Sequence, residues 1–296
     1  MNTIGGYVSL ARPVNMLICG LSVLCGGIIG DRPLTVLTGF LAAIENDPPH
    51  LPLRLASAAV SAMLILAAGN VLNDIRDVAA DRINAPHRPL PSCAVTRTGA
   101  KVYYSLLTLC GLVASLPLGA YGAATALFAA LLLAAYDVRL KGVPLAGNLA
   151  VALLGGLAFV YGGIAGDCAG RALIPASFAV LFHLGREIVK DAADIRGDSR
   201  SGIRTAATVW GVNTAGRLAA AVFAALAVVV MLPSVTGYFG VVYTVYIAIL
   251  VCPIIYYAAA SSLGNPDEAA LRWVSTLLKI DMPVGIFAVL AGFQGW

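Results

Sequence analysis

Charge is what this chain has least of. Of its 296 residues, 11% are Asp, Glu, Lys or Arg, against roughly 25% in ordinary soluble domains. Such a chain cannot coat a water-soluble surface. With 59% hydrophobic residues and a mean hydropathy of +0.87, it must use lipid as its solvent. In lipid, only helices and closed barrels satisfy the backbone. The apolar runs are long and continuous rather than short and alternating, which selects helices. Histidine is scarce too: His50, His87 and His183 form no metal or catalytic constellation. Six cysteines, at 19, 25, 93, 110, 168 and 252, contain no CxxC pair and no zinc spacing, so they read as small apolar residues. The N-terminus has no charged segment ahead of a cleavable apolar core, so the first apolar run is expected to be a retained helix. The net charge of +4 comes from Lys and Arg between apolar runs. That is the pattern of membrane topology, not of nucleic-acid binding.

What is present is apolar length. About nine spans are expected, near 14–30, 57–79, 98–117, 120–137, 144–166, 173–194, 213–232, 236–260 and 269–294. The expected fold is therefore all-α, a polytopic membrane protein of one domain over residues 1–296, with the helices around a central cavity. Residues 2–11 read as a short interfacial helix ending at Arg12-Pro13. Residues 31–56 read partly as loop, with an apolar stretch at 34–44 able to lie in the interface. Placing the N-terminus inside puts fifteen of the 19 basic residues on the inner side, against Arg32, Arg54 and Arg171 outside. The positive-inside rule then assigns the N-terminus to the cytoplasm of a cell-membrane protein.

Acids are rare, fifteen in total, and seven fall in two short windows. Asn70, Asp74, Asp77 and Asp81 have offsets of 0, 4, 7 and 11. Glu187, Asp191, Asp194 and Asp198 repeat those offsets 117 residues later. On a helix these positions cover roughly 60° of the circumference, so each window is one polar stripe at the end of an apolar span. The repeat suggests two halves answering one chemical demand. Both spans exit inward, so the stripes can face each other across one cavity. Carboxylates at the end of an apolar helix repel one another and are costly to desolvate. A divalent cation removes both problems, and oxygen-only ligands with room for phosphate oxygens suit Mg2+.

Cations accompany the stripes. Arg82 and Arg88 follow the first one, the latter in the rigid turn His87-Arg88-Pro89-Leu90-Pro91, and Arg can grip phosphate bidentately. Asn73 precedes Asp74. Tyr136 and Lys141 close the fourth span on the same side, with Asn148 two turns further on, and Asn15 sits at the inner rim of the first span. Arg186 and Lys190 project about 100° away from the second stripe and are expected to meet lipid phosphates. His183 reads as a packing residue. Lys279 and Asp281, inside the last apolar run, are functional candidates or structurally paired groups.

These residues carry a resemblance. Asn73-Asp74-x-x-Asp77-x-x-x-Asp81, then Arg88-Pro-Leu-Pro91, then Asp191-x-x-Asp194-x-x-x-Asp198 resembles the UbiA superfamily of membrane prenyltransferases over nearly the whole chain. The Arg12-Pro-Val-Asn15 opening, the Tyr136 to Lys141 segment and the Arg186 to Asp191 run are most similar to the branch that attaches a geranylgeranyl group to geranylgeranylglyceryl phosphate. The resemblance implies nine helices and Mg2+ held by Asp74, Asp77 and Asp81 and by Asp191, Asp194 and Asp198. It also implies a prenyl diphosphate donor whose leaving group is neutralised by Arg88 and Lys141, a lipid-like acceptor, and membrane lipids around the chain. Two alternatives stay open. An aromatic prenyltransferase differs in the acceptor alone. A cation transporter would use the carboxylates as an ion path, although both stripes sit at one membrane face and transporter sites lie near the midplane. The Asp-Gly, Ala-Arg, Gly pattern of CDP-alcohol phosphotransferases is absent.

Overall fold

The computed structural model describes residues 3–29, 50–264 and 267–292, and among them it contains helices and no strand. Residues 34–44, expected in the interface, lie outside the described residues. Helix α1 (Thr3–Ala11) ends where expected, at Arg12-Pro13. Arg12 takes a left-handed backbone, φ 54°, and Pro13 opens α2 (Pro13–Ile28). A residue before proline is pushed out of the helical region, and the break turns the Arg12 side chain inward.

Helix α3 (His50–Asn84) is 35 residues long, about 52 Å at 1.5 Å per residue. It begins before residue 57, the expected start of the span, so positions 50–56 are helical. Pro52 is tolerated because the first-turn N–H groups have no intrahelical partner. Arg54 ties this end to the Asp167 carboxylate at 2.6 Å and the Ile164 carbonyl at 3.0 Å. That contact holds the Asp167 carboxyl below its ordinary range. The inner end of α3 carries the whole first acidic stripe.

Helix α4 (Arg97–Ala114) starts at Thr96, whose hydroxyl accepts from the Gly99 N–H at 3.0 Å. A single 3-10 turn, Leu116–Leu118, leads through Gly119 at φ 73° into α5 (Gly119–Val138). By length and composition, eight helical stretches among the described residues could cross a membrane, against the nine expected. The difference lies in Arg97–Val138, counted as one run of 42 residues. Its two legs reverse direction. Gly111 packs on Ser61 and Ile65 of α3, while Lys141, just after α5, reaches back to Asp77.

Helices α6 (Ala146–Ala165) and α7 (Ala169–Ala193) form the closest-packed neighbours. Short helices α8 (Ile195–Arg200) and α9 (Ala206–Trp210) follow. The lipid-length helix α10 (Val212–Val235) comes next. Helix α11 (Val241–Tyr246) passes through a π turn at Ile247–Val251 into α12 (Cys252–Ser261). Pro253 supplies no N–H there, so the turn widens. Helix α13 (Glu268–Gly292) packs on α7 and α2.

Helices α2 and α6 cross with their backbones in contact. A methyl group at Gly26 would stand 2.0 Å from the Phe159 carbonyl oxygen, and one at Gly166 would stand 2.1 Å from that of Gly27. In lipid, where apolar surface gains nothing by leaving the solvent, small residues that let helices touch supply the packing. Large apolar side chains such as Leu131, Val228, Ile249 and Ile280 point outward. Patches of that extent do not persist in water, and the chain is a multi-pass membrane protein.

Candidate active site

The inner ends of α2, α3, α5, α6, α7 and α13 surround a chamber of about 1090 Å³. Thirteen of the fifteen residues singled out in the sequence line it. They are Asn15, Asn70, Asn73, Asp77, Asp81, Arg88, Tyr136, Lys141, Asn148, Glu187, Asp191, Asp194 and Asp198. Arg82 and Asp74 are the two that do not line it. Arg82 is exposed and off the chamber, because one residue past Asp81 turns a side chain about 100° around the helix. Asp74 is 5% exposed and lies behind the wall.

The first wall is saturated with partners. Asp74 accepts from the Arg12 guanidinium and has Arg88 at 3.9 Å. Asp77 accepts from the Lys141 ammonium, carried there by the 3-10 turn Leu140–Gly142. Asp81 takes Arg88 on both oxygens, at 2.7 and 2.9 Å. Asn70 donates to the Ala11 carbonyl at 3.1 Å and so anchors α1. Asn73 donates at 2.8 Å to Asp137, a carboxylate at the end of α5 that the sequence reading passed over. Each of the three stripe carboxylates has its own cation, which is what desolvated acids at a membrane face require.

The second wall is built differently. The stripe is not one helix: α7 ends at Ala193, Asp194 has φ −102° and ψ 9°, and Asp198 belongs to α8. Asp191 accepts from Asn148 at 2.7 Å. Asp194, 47% exposed, has Arg272 at 3.5 Å. Asp198 has no side-chain partner among the described residues. Burial, then the neighbouring Asp194 charge, pushes its carboxyl up to about 6. The stripe carboxylates of this wall lack the short ion pairs of the first.

Arg186 and Lys190 were expected to face lipid head groups. Instead both line the chamber and clamp Glu187, at 2.7 and 3.2 Å. Lys279 and Asp281 do not pair with each other. Lys279 lines the chamber, while Asp281 is fully buried with no hydrogen bond to either carboxylate oxygen. His183 packs on Gly155 and borders the chamber. Arg12, Arg186, Lys190 and Lys279 are thus site residues that sequence reasoning had assigned to topology or left undecided. The one available signal was Arg12-Pro13, a break placed at the inner rim.

Asp281 supports a prediction about stability. A buried polar group without partners costs about 1–3 kcal/mol, so Asp281→Leu should raise the thermal unfolding midpoint of the detergent-solubilised protein. A lower midpoint would mean that the carboxyl has a stabilising role.

Comparison with known proteins agrees with this geometry. The UbiA prenyltransferase family model matches residues 33–280. A digeranylgeranylglyceryl phosphate synthase from Methanoculleus marisnigri is 34% identical over 293 residues, 98% of each chain. A solved structure of digeranylgeranylglyceryl phosphate synthase in membranes superposes with a TM-score of 0.76, at 30% identity and 99% coverage of both chains. A UbiA homolog from Archaeoglobus fulgidus, solved with GPP and Mg2+, shares the fold at a TM-score of 0.63. It is 18% identical, with 97% of this chain and 99% of that one covered.

Proposed function

The chain belongs to the UbiA prenyltransferase family and is a membrane prenyltransferase, and from that premise we propose that it transfers a geranylgeranyl group from its diphosphate to geranylgeranylglyceryl phosphate. The product would carry the second ether bond of an archaeal-type lipid. One observation carries the chemistry: two carboxylate walls from opposite halves of the chain face a single chamber. The acceptor rests on the near-full-length similarity to digeranylgeranylglyceryl phosphate synthases. Because both halves supply a wall, the chain is read as one domain.

The donor set fits magnesium. Every candidate ligand is a carboxylate oxygen, the hard donor that magnesium prefers, and the A. fulgidus homolog was solved with that ion. Among the described residues, no three His, Cys, Asp or Glu side chains are gathered closely enough to hold a metal alone. Magnesium sites commonly complete their shell with water and substrate phosphate. Asp77 and Asp81 on one wall and Asp191, Asp194 and Asp198 on the other would hold it, with Asp74 fixing Arg12 and Arg88. When bound, magnesium would supply the positive charge that lets two acidic walls and a diphosphate share one chamber.

The chain's own residues do the rest. Breaking the allylic C–O bond leaves the electron pair on the departing diphosphate. Arg88 and Lys141 stand at the first wall to balance that growing charge, an interaction that strengthens toward the transition state. The acceptor hydroxyl oxygen bonds to the allylic carbon. Its proton passes to a first-wall carboxylate or to the diphosphate. The surrounding apolar helices sheath the isoprenoid chains and exclude water, which would otherwise trap the cation. The chamber mouth and the N-terminus belong on the cytoplasmic side of the cell membrane, where most of the basic residues fall.

The deciding experiment offers purified protein labelled geranylgeranyl diphosphate, magnesium and either geranylgeranylglyceryl phosphate or 4-hydroxybenzoate. Transfer to the glyceryl phosphate is expected. Transfer to the benzoate alone would replace the lipid assignment with aromatic prenylation. Cation transport without any transfer would overturn both.

A further inference from the structure

One group of cations in the chamber is left over by the chemistry above. Lys279 projects into it from the middle of the apolar helix α13 and has no hydrogen-bond or ion-pair partner among the described residues. Arg186 and Arg12 line the same chamber, and the helix of Arg186 packs on that of Lys279. The Arg186 Nε–H is fully buried and has no acceptor, although the same guanidinium holds Glu187 through another nitrogen. Orphaned buried donors of this kind are rare in folded proteins, and an unpaired lysine inside a membrane span is costly.

The charge balance shows what is missing. On this wall, formed by α2, α7 and α13, the cations are Arg12, Arg186, Lys190 and Lys279. The carboxylates that contact them are Asp74 and Glu187. Lys279 has no carboxylate of its own, and Arg186 shares Glu187 with Lys190. A phosphomonoester carries about −1.5 to −2 near neutral pH and offers three acceptor oxygens. The lining then turns apolar within a turn. Met282 lies one turn beyond Lys279, and Ile18, Ser22 and His183 complete the border with a pocket walled by Phe159, Phe178 and Phe182. A ligand that satisfies both parts has a phosphate head and a hydrocarbon body.

We infer that Lys279 and Arg186, with Arg12 at their edge, form a subsite for the phosphate of a phosphomonoester lipid, the acceptor. This rests on the reading of the acceptor as a glyceryl phosphate lipid. The subsite separates the two anions of the reaction. The donor diphosphate goes to the acidic walls, and the acceptor phosphate goes to cations that need no metal.

Binding in the absence of magnesium and donor tests it. Labelled geranylgeranylglyceryl phosphate and its dephosphorylated alcohol are titrated onto protein in nanodiscs. Wild type should retain the phosphorylated lipid about tenfold or more better than the alcohol, the scale of one charge-assisted hydrogen bond. Lys279→Met, close in length and favourable in lipid, should erase that preference, and Lys279→Arg should keep most of it. No preference in wild type, or a preference untouched by Lys279→Met, overturns the subsite even if transfer to the glyceryl phosphate is robust. A Lys279-dependent preference in a protein that prenylates only another acceptor keeps the subsite and discards the acceptor assignment. In turnover, Lys279→Met should raise KM for the phosphorylated acceptor and leave KM for the donor within about twofold. The reverse pattern would place the lysine on the diphosphate.

Discussion

Asp77→Ala and Asp194→Ala should each lower prenyl transfer by about a hundredfold or more, yet only the first should soften the fold. Asp77 holds the Lys141 ammonium in a pair whose two side chains are 23% and 27% exposed. Removing the carboxylate strands a cation at the chamber wall. With the solvent that reaches this pair, the loss of stability should be about 1–2 kcal/mol. Asp194 is nearly half exposed and its nearest cation is 3.5 Å away, a pair worth little. Its removal should leave thermal unfolding unchanged. Turnover at saturating magnesium, measured beside melting curves in the same detergent, separates the two effects. Wild-type rates in either variant would contradict the two-walled site. Equal melting losses would contradict the asymmetry between tightly and loosely paired carboxylates.

The second large effect is structural. Gly162→Val should prevent assembly of the helix bundle. A methyl group at Gly162 would stand 1.8 Å from the Val23 carbonyl oxygen, which is backbone and cannot rotate away. Helices α2 and α6 would have to separate, and filling a close-packed contact costs about 3 kcal/mol or more when the backbone must move. The damage should reach the chamber, because α2 carries Arg12 and Asn15 and α6 carries Asn148. Expression as a monodisperse species in detergent, read by size-exclusion chromatography, is the measurement. Gly170→Val is the control, since nothing lies within 4 Å of a methyl group there. A well-behaved, active Gly162→Val protein would show that the α2–α6 crossing is less tight than described.

Much of this protein can be read without its tertiary structure. Lack of charge dictates lipid as solvent, and lipid dictates helices. The shared offsets of the acidic windows place two carboxylate stripes at one membrane face, and thirteen of the fifteen chosen residues meet in one chamber. The failures have a common cause. A helical wheel gives the direction of a side chain from its own axis but not what stands opposite. Arg186 and Lys190 lie off the stripe on the wheel and still face inward, because α13 and α2 close that side of α7. Asp74 lies on the stripe and is held by Arg12, a partner from another helix that the wheel does not show. The second stripe keeps its spacing while its helix breaks at Asp194.

The sequence by itself therefore determined the solvent, the secondary structure and the chemistry of the two walls, since each follows from local composition and period. Only the tertiary structure decided which carboxylates already hold a cation, and that Lys279 and Arg186 are left facing the chamber with bonds still to make. Those facts depend on distances between helices far apart in the chain, which no local period encodes.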